Sequence, residues 1–230
     1  MNSTPALILF ARDPVPGRVK TRLVPLLGAE GAAELYRCFL LDSLEAAACL
    51  PADVFVAVSR HAALEPVRSL AAPVCPKADF LVQVGDDLGQ RMRHAFEAVL
   101  ARPYGRAVAM ATDVPSLPPL RVNEALDCAA HRDLVLGPSL DGGYYLIGLR
   151  KIIPTCFADM PWGGPAVLVE TLRRAQQAGA TVSLLEPWYD VDAPEDLRVL
   201  RSHLTALHLA GDTIFCPRTW EFLQHLPPEY

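Results

Sequence analysis

Seven short apolar runs are spaced along this chain, and most stretches between them carry helical periodicity. The runs are Ala6–Phe10, Asp53–Ser59, Phe80–Val84, Arg106–Thr112, Asp133–Leu136, Tyr144–Leu149 and Thr181–Leu185. Ala6–Phe10 shows no polar alternation, which predicts a strand buried on both faces. Helices are predicted over Glu30–Ala48, Leu88–Leu100, Pro165–Ala178 and Pro194–Leu207, with another starting near Pro118. In the last long one, Leu197, Leu200, Leu204 and Leu207 recur by threes and fours. Strands separated by helices predict an α/β fold with a largely parallel sheet covered on both faces. A single domain over residues 1–209 is expected, followed by a loosely packed C-terminal extension, residues 210–230, that contains Pro217, Pro227 and Pro228.

With 230 residues, 51 % of them hydrophobic and 20 % charged, the chain can build a full core. Its net charge of −5 argues against a general nucleic-acid surface. A small anionic ligand needs only a local basic site. The six cysteines form no C-x-x-C pair, so reduced, mostly buried thiols are expected instead of a zinc site or a disulfide framework. No stretch approaches the length of a membrane span, and the first residues lack a basic leader. A cytoplasmic location is therefore expected, with neither membrane nor nucleic acid as partner.

A local basic site is present. The loop after the first apolar run, Ala11-Arg12-Asp13-Pro14-Val15-Pro16-Gly17-Arg18-Val19-Lys20-Thr21-Arg22, carries four cations against one anion. Ligands of open α/β sheets bind beyond the carboxyl ends of the strands, where this loop falls. Gly17 allows close backbone approach, and Arg12, Lys20 and Arg22 suit phosphate oxygens. The Walker pattern is missing, so side chains must do most of the holding. The alternative is a solvated basic loop.

Three acidic motifs follow. Asp113, in Thr112-Asp113-Val114-Pro115-Ser116-Leu117, projects at the same sheet edge and suits Mg²⁺ shared with phosphate oxygens; the alternative is an Asx-turn or helix cap. Asp141-Gly142-Gly143 joins two strands. Asp141 can bind an acceptor hydroxyl or act as a base, and the alternative is a plain hairpin turn. Asp190 and Asp192 lie two apart and point the same way in extended chain; Asp192 is also placed to cap the next helix, whose first turn holds Glu195 and Asp196. The segment Gly85–Met92 reads as a helix start with a capping acid. The histidines at 61, 94, 131, 203, 208 and 225 have no ligand spacing and are expected on the surface or in the core.

Taken in order, KTRL, TD-x-P-S-L, LGP-x-x-DGGYYLIGL, PWG and DVD-x-PEDL resemble a bacterial glycosyltransferase-like family of GT-A fold. It was formerly catalogued as a domain of unknown function and is also called CofC-like or nucleotide-diphospho-sugar transferase-like. The resemblance covers about residues 6–205. The family is similar in fold to the phospholactate and molybdenum-cofactor guanylyltransferases. The resemblance implies a Rossmann-like, mostly parallel mixed sheet with one antiparallel strand, Tyr144–Leu149. It implies Mg²⁺ (or Mn²⁺) held by Asp113 and by Asp192, with Asp190 left as the alternative second ligand. It implies phosphate contacts from Lys20 and Arg22, and an active-site loop at Asp141, Gly142 and Gly143. The chain departs from the family pattern at Arg12, Ala111, Val114 and Gly164.

These features together predict a Mg²⁺-dependent transferase in which Lys20, Arg22 and Asp141 are catalytic. The first-ranked reaction moves a glycosyl group from a nucleotide-sugar to a small acceptor. The alternative is nucleotidyl transfer from an NTP with release of pyrophosphate, and a non-catalytic nucleotide-binding module is a further alternative.

Overall fold

β1 (Ala6–Ala11) pairs in parallel with β2 (Asp53–Val58) on one side and with β4 (Ala107–Ala111) on the other. The remaining strands are β3 (Asp79–Val82), β5 (Leu134–Pro138), β6 (Tyr144–Leu149) and β7 (Val182–Leu184), in the order β3-β2-β1-β4-β6-β5-β7. β6 runs antiparallel to both β4 and β5, as the resemblance implies, and all seven expected strands are present. The structure is a computed structural model that describes residues 4–59 and 64–227. His61 and Pro228 lie outside those residues.

The helices are α1 (Val24–Ala48), α2 (Leu64–Ala71), α3 (Leu88–Leu100), α4 (Pro119–Cys128), α5 (Val167–Gln177), α6 (Pro194–Ala210) and α7 (Pro217–Gln224). Side chains alternate across β1, which builds two cores. Leu7 and Leu9 pack with Leu40 and Leu44 of α1, Val67 of α2 and Val122 of α4. Ile8 packs on the opposite face with Phe96 and Val99 of α3 and Ala175 of α5. The result is an α/β, Rossmann-like mixed sheet with helices on both faces. A short helical turn from Val24 precedes a kink at Gly28 (φ 71, ψ 169), and the regular part of α1 follows it, in keeping with the expected start at Glu30.

The chain leaves β1 for β2 and β3 on one side, then crosses back to β4 on the other. This reversal opens a crevice at the carboxyl ends of β1 and β4, where open α/β sheets bind ligands. The basic loop and Asp113 emerge there.

A third core lies beyond this edge. Val19 and Leu23 from the basic loop are buried with Leu35, Tyr36 and Phe39 of α1, Val191, and Leu197, Leu200 and Leu204 of α6. The end of the chain joins it: Cys216 and Leu223 are fully buried. The segment 216–224 is thus packed against the rest of the fold, where a loosely packed extension was expected. The buried Asp42 carboxylate of α1 accepts hydrogen bonds from Thr219 N (2.9 Å), Thr219 Oγ1 (2.7 Å) and Arg218 N (3.2 Å), satisfying the free N–H groups at the start of α7. The short, proline-flanked run 217–224 carries too few periodic positions to reveal this docking in advance.

Asp42→Ala is expected to destabilise the protein by about 2–3 kcal/mol, because it leaves several buried donors unpaired. Thermal unfolding should show a fall in Tm of roughly 4–12 °C. An unchanged Tm means that α7 is not held through Asp42.

Candidate active site

Lys20 is the centre of the site. Its backbone lies in the left-handed region (φ 44, ψ 44), uncommon for a residue with a side chain and an expense that tertiary contacts must offset. The buried side chains of Val19 and Leu23 anchor the turn on either side. That turn drives the Lys20 side chain inward until only 5 % of it is exposed. Nζ donates to Asp192 Oδ1 at 2.7 Å and to Asp113 Oδ2 at 3.1 Å. It also lies 5.8 Å from the centroid of the Phe39 ring. Arg22, largely exposed, reaches Asp192 Oδ2 at 3.8 Å.

Each carboxylate is held by its own segment. Asp113 follows β4, and its carbonyl accepts from Val191 N at 2.9 Å, joining the two acidic loops through the backbone. Asp192 does not cap α6. Asp196 does so by accepting from Asp192 N (3.0 Å) and Ala193 N (2.7 Å), which releases the Asp192 carboxylate to face Lys20. Side chains reinforce the junction. Trp188 Nε1 donates to Ser116 Oγ (3.2 Å), Ser116 Oγ donates to the Tyr189 hydroxyl (2.9 Å), and that hydroxyl meets His203 Nδ1 at 2.7 Å. Below the basic loop, the buried Tyr36 hydroxyl accepts from Arg12 N (2.8 Å) and pairs with Thr112 Oγ1 at 3.1 Å.

Burial alone disfavours the Lys20 ammonium, but Asp113 and then Asp192 outweigh it and hold the pKa above the ordinary lysine value. Burial likewise disfavours the Asp192 carboxylate. Lys20 outweighs that effect, with help from Arg22 and Arg12, and the Asp192 pKa is lowered. Asp190 differs. Its Oδ1 accepts from Ser139 Oγ at 3.0 Å, and its pKa is raised by burial and by the negative charges of Asp113 and Asp141.

Among the sequence-predicted residues, Lys20, Arg22, Asp113 and Asp192 converge, and they line a cavity of about 210 Å³ together with Arg12 and Thr21. Arg12 and Asp113 also line an adjoining cavity of about 520 Å³. Gly17 sits in the exposed part of the loop (φ 74) and does not line either cavity. Asp141 makes a local turn, accepting from Gly143 N at 2.8 Å in the β5–β6 hairpin. It has no direct contact with the Lys20 cluster among the described residues. Gly142 has a packing reason to be glycine: at φ 91, an added Cβ would lie 2.2 Å from Pro165 O. Tyr36 and Gln83, which line the larger cavity, belong to none of the sequence motifs. A tyrosine within a helix and a glutamine after a strand have no local pattern that marks them.

Divalent-metal chemistry fits the donor set. Mg²⁺ takes one or two protein carboxylates and completes its shell with phosphate oxygens and water. Asp113 and Asp192 already share a cation, and their side chains are 29 % and 42 % exposed to the cavity. Among the described residues no group of three or more His, Cys, Asp or Glu gathers into a closed cage. No helix of the described residues is long and apolar enough to cross a membrane.

Comparison with known proteins agrees with the fold. A profile of the family DUF2064, described as uncharacterized protein conserved in bacteria, matches residues 40–164. The crystal structure of a candidate nucleotide-diphospho-sugar transferase from Desulfovibrio desulfuricans G20 superposes with a TM-score of 0.85 at 35 % identity, covering 96 % of this chain and 94 % of that one. The 2-phospho-L-lactate guanylyltransferase of Methanothermobacter thermautotrophicus is 27 % identical over 82 % of this chain and 81 % of its own length. The phosphoenolpyruvate guanylyltransferase of Mycobacterium sp. (strain KMS) is 30 % identical over 79 % of this chain and 80 % of its own.

The depressed pKa of Asp192 sets a pH signature. A carboxylate whose folded pKa is lowered stabilises the fold above its unfolded pKa of about 3.9, and that stabilisation is lost as pH falls through the folded value. The Tm difference between wild type and Asp192→Asn is therefore expected to be largest near neutral pH and to shrink below about pH 4. Melting curves from pH 3 to 8 check this, and a difference that grows on acidification contradicts the Lys20–Asp192 pairing.

Proposed function

This chain belongs to the bacterial DUF2064 family, and from that premise we propose that it is a nucleotidyltransferase that joins an NMP unit from an NTP to a small phosphorylated acceptor. The observation that carries this reading is the Lys20 ammonium between Asp113 and Asp192, beside Arg22, in the crevice at the carboxyl ends of β1 and β4.

An acceptor oxygen attacks the α-phosphorus of the NTP. The bond between the α-phosphorus and its bridging oxygen to the β-phosphate breaks, and pyrophosphate leaves with the electron pair. Negative charge grows on the leaving phosphates as that bond lengthens. Lys20 and Arg22 are the cations that meet this charge, and Lys20 is held ready by two carboxylates and a buried stem. Arg12 lines both cavities and holds the phosphate chain between them. Asp113 and Asp192 would hold Mg²⁺ (or Mn²⁺), which supplies Lewis-acid neutralisation of phosphate oxygens. Asp192 suits that role better than Asp190, because its pKa is lowered while that of Asp190 is raised. Gly142 and Gly143 shape the hairpin that presents Asp141, and Asp141 orients the acceptor or takes its proton where the acceptor is a hydroxyl.

Both guanylyltransferase relatives act, by name, on phosphorylated three-carbon acids, and they favour nucleotidyl transfer over the glycosyl transfer ranked first from sequence. Glycosyl transfer from a nucleotide-sugar remains the second reading, favoured by the Desulfovibrio relative. In that reaction the same cations stabilise a departing nucleoside diphosphate.

Incubation of the protein and Mg²⁺ with each NTP and a panel of phosphorylated acceptors, beginning with phosphoenolpyruvate and 2-phospho-L-lactate, should release pyrophosphate. Lys20→Met and Asp113→Asn are each expected to lower that rate by about 10²–10³. Release of a nucleoside diphosphate from a nucleotide-sugar, with no pyrophosphate from any NTP, selects the second reading.

A further inference from the structure

Gln83 lies just past the end of β3, is 7 % exposed and lines the larger cavity. Its Nε2 donates to Ala57 O at 2.8 Å and to Ala11 O at 3.3 Å, tying together the ends of β2 and β1. Both protons of the side-chain amide are thereby committed. The amide orientation follows from these partners, because a flipped group would set Oε1 against two carbonyl oxygens. Oε1 makes no hydrogen bond among the described residues, yet it is not sealed within the protein. A side chain that is nine-tenths buried thus offers the cavity one unpaired acceptor with two lone pairs and no donor.

The position matches one end of a nucleotide. The cavity follows the carboxyl ends of the parallel strands from Gln83 after β3 to Asp113 after β4. Three strand spacings separate those ends, about 14 Å. With phosphates at Lys20, Arg12 and Arg22, the base falls at the Gln83 end.

We propose that Gln83 selects guanine, its Oε1 accepting from the N1–H and 2-amino edge of the base. This rests on the nucleotidyl-transfer reading above. A free glutamine amide reads adenine with one donor and one acceptor. Here the donor half is used up, so adenine and cytosine would leave the ring nitrogen beside their amine unpaired. Guanine presents two adjacent donors and asks no donor of Gln83. Uracil has one donor flanked by two carbonyls, which face the same lack.

Titration of the wild-type protein with GTP, ITP, N1-methyl-GTP, ATP, CTP and UTP in Mg²⁺ tests this without any variant. GTP is expected to bind roughly 5- to 150-fold more tightly than ATP, CTP or UTP. ITP, which lacks the 2-amino group, should be weaker than GTP, and N1-methyl-GTP weaker again. Gln83→Met, which keeps most of the volume, should bring the GTP-to-ATP ratio toward one. Inorganic tripolyphosphate should bind wild type and variant alike, since it carries no base edge for Gln83 Oε1 to accept from. Equal binding of all six nucleotides, or a preference for ATP, overturns the role of Gln83 and leaves the transferase reading standing. Binding of none of them overturns both.

Discussion

One buried ammonium organises the functional edge of this protein. Lys20 bonds to two carboxylates that lie 93 and 172 residues away in the chain. A lysine that has lost nearly all its water cannot stay charged without anionic partners close by. The partners in turn depend on it. Without Lys20, Asp113 and Asp192 would share the cavity with only the more exposed cations Arg22 and Arg12 to offset their charge. The loop after β1, the loop after β4 and the entry to α6 therefore stand or fall as a unit.

Apolar packing makes that unit affordable. Val19 and Leu23 on one side and Val191 on the other enter the same core, together with α1, α6 and α7. Their burial holds Lys20 in a left-handed backbone conformation that an isolated loop would not keep. The charged contacts themselves are only partly shielded, since both carboxylates keep an open side toward the cavity. That openness is what the proposed phosphate site requires and what a sealed ion pair would lack. Cations that are fixed beforehand need not reorganise when phosphate charge develops, which is where most electrostatic catalysis arises.

Much of this was legible along the chain. Strand runs and helical spacing reveal themselves locally, because period and length depend on which residues face the core. All seven strands were anticipated, and α3 was anticipated to the residue. Lys20 and Arg22 stood out because cations concentrated after a strand are unusual in an acidic protein, Asp113 because it follows a strand at the same edge, and Asp192 through the family resemblance. Other features had no local signature. α7 is short and proline-flanked, and its docking depends on Asp42, 177 residues from Thr219. Asp192 and Asp190 were indistinguishable by spacing, and they separate only because Ser139 takes one and Lys20 the other. Gln83 looks like any polar residue after a strand until its amide is seen between two backbone carbonyls.

By itself the sequence determined the class of fold and the concentration of charge at one edge of its sheet. Those follow from periodicity and charge, which are properties of neighbouring residues. Only the tertiary structure decided which carboxylate meets which cation, which acid caps α6, and which face of a glutamine amide looks into the cavity. These are choices among chemically equal groups. They are settled by contacts between segments far apart in the chain, where hydrogen-bond geometry and burial distinguish what composition cannot.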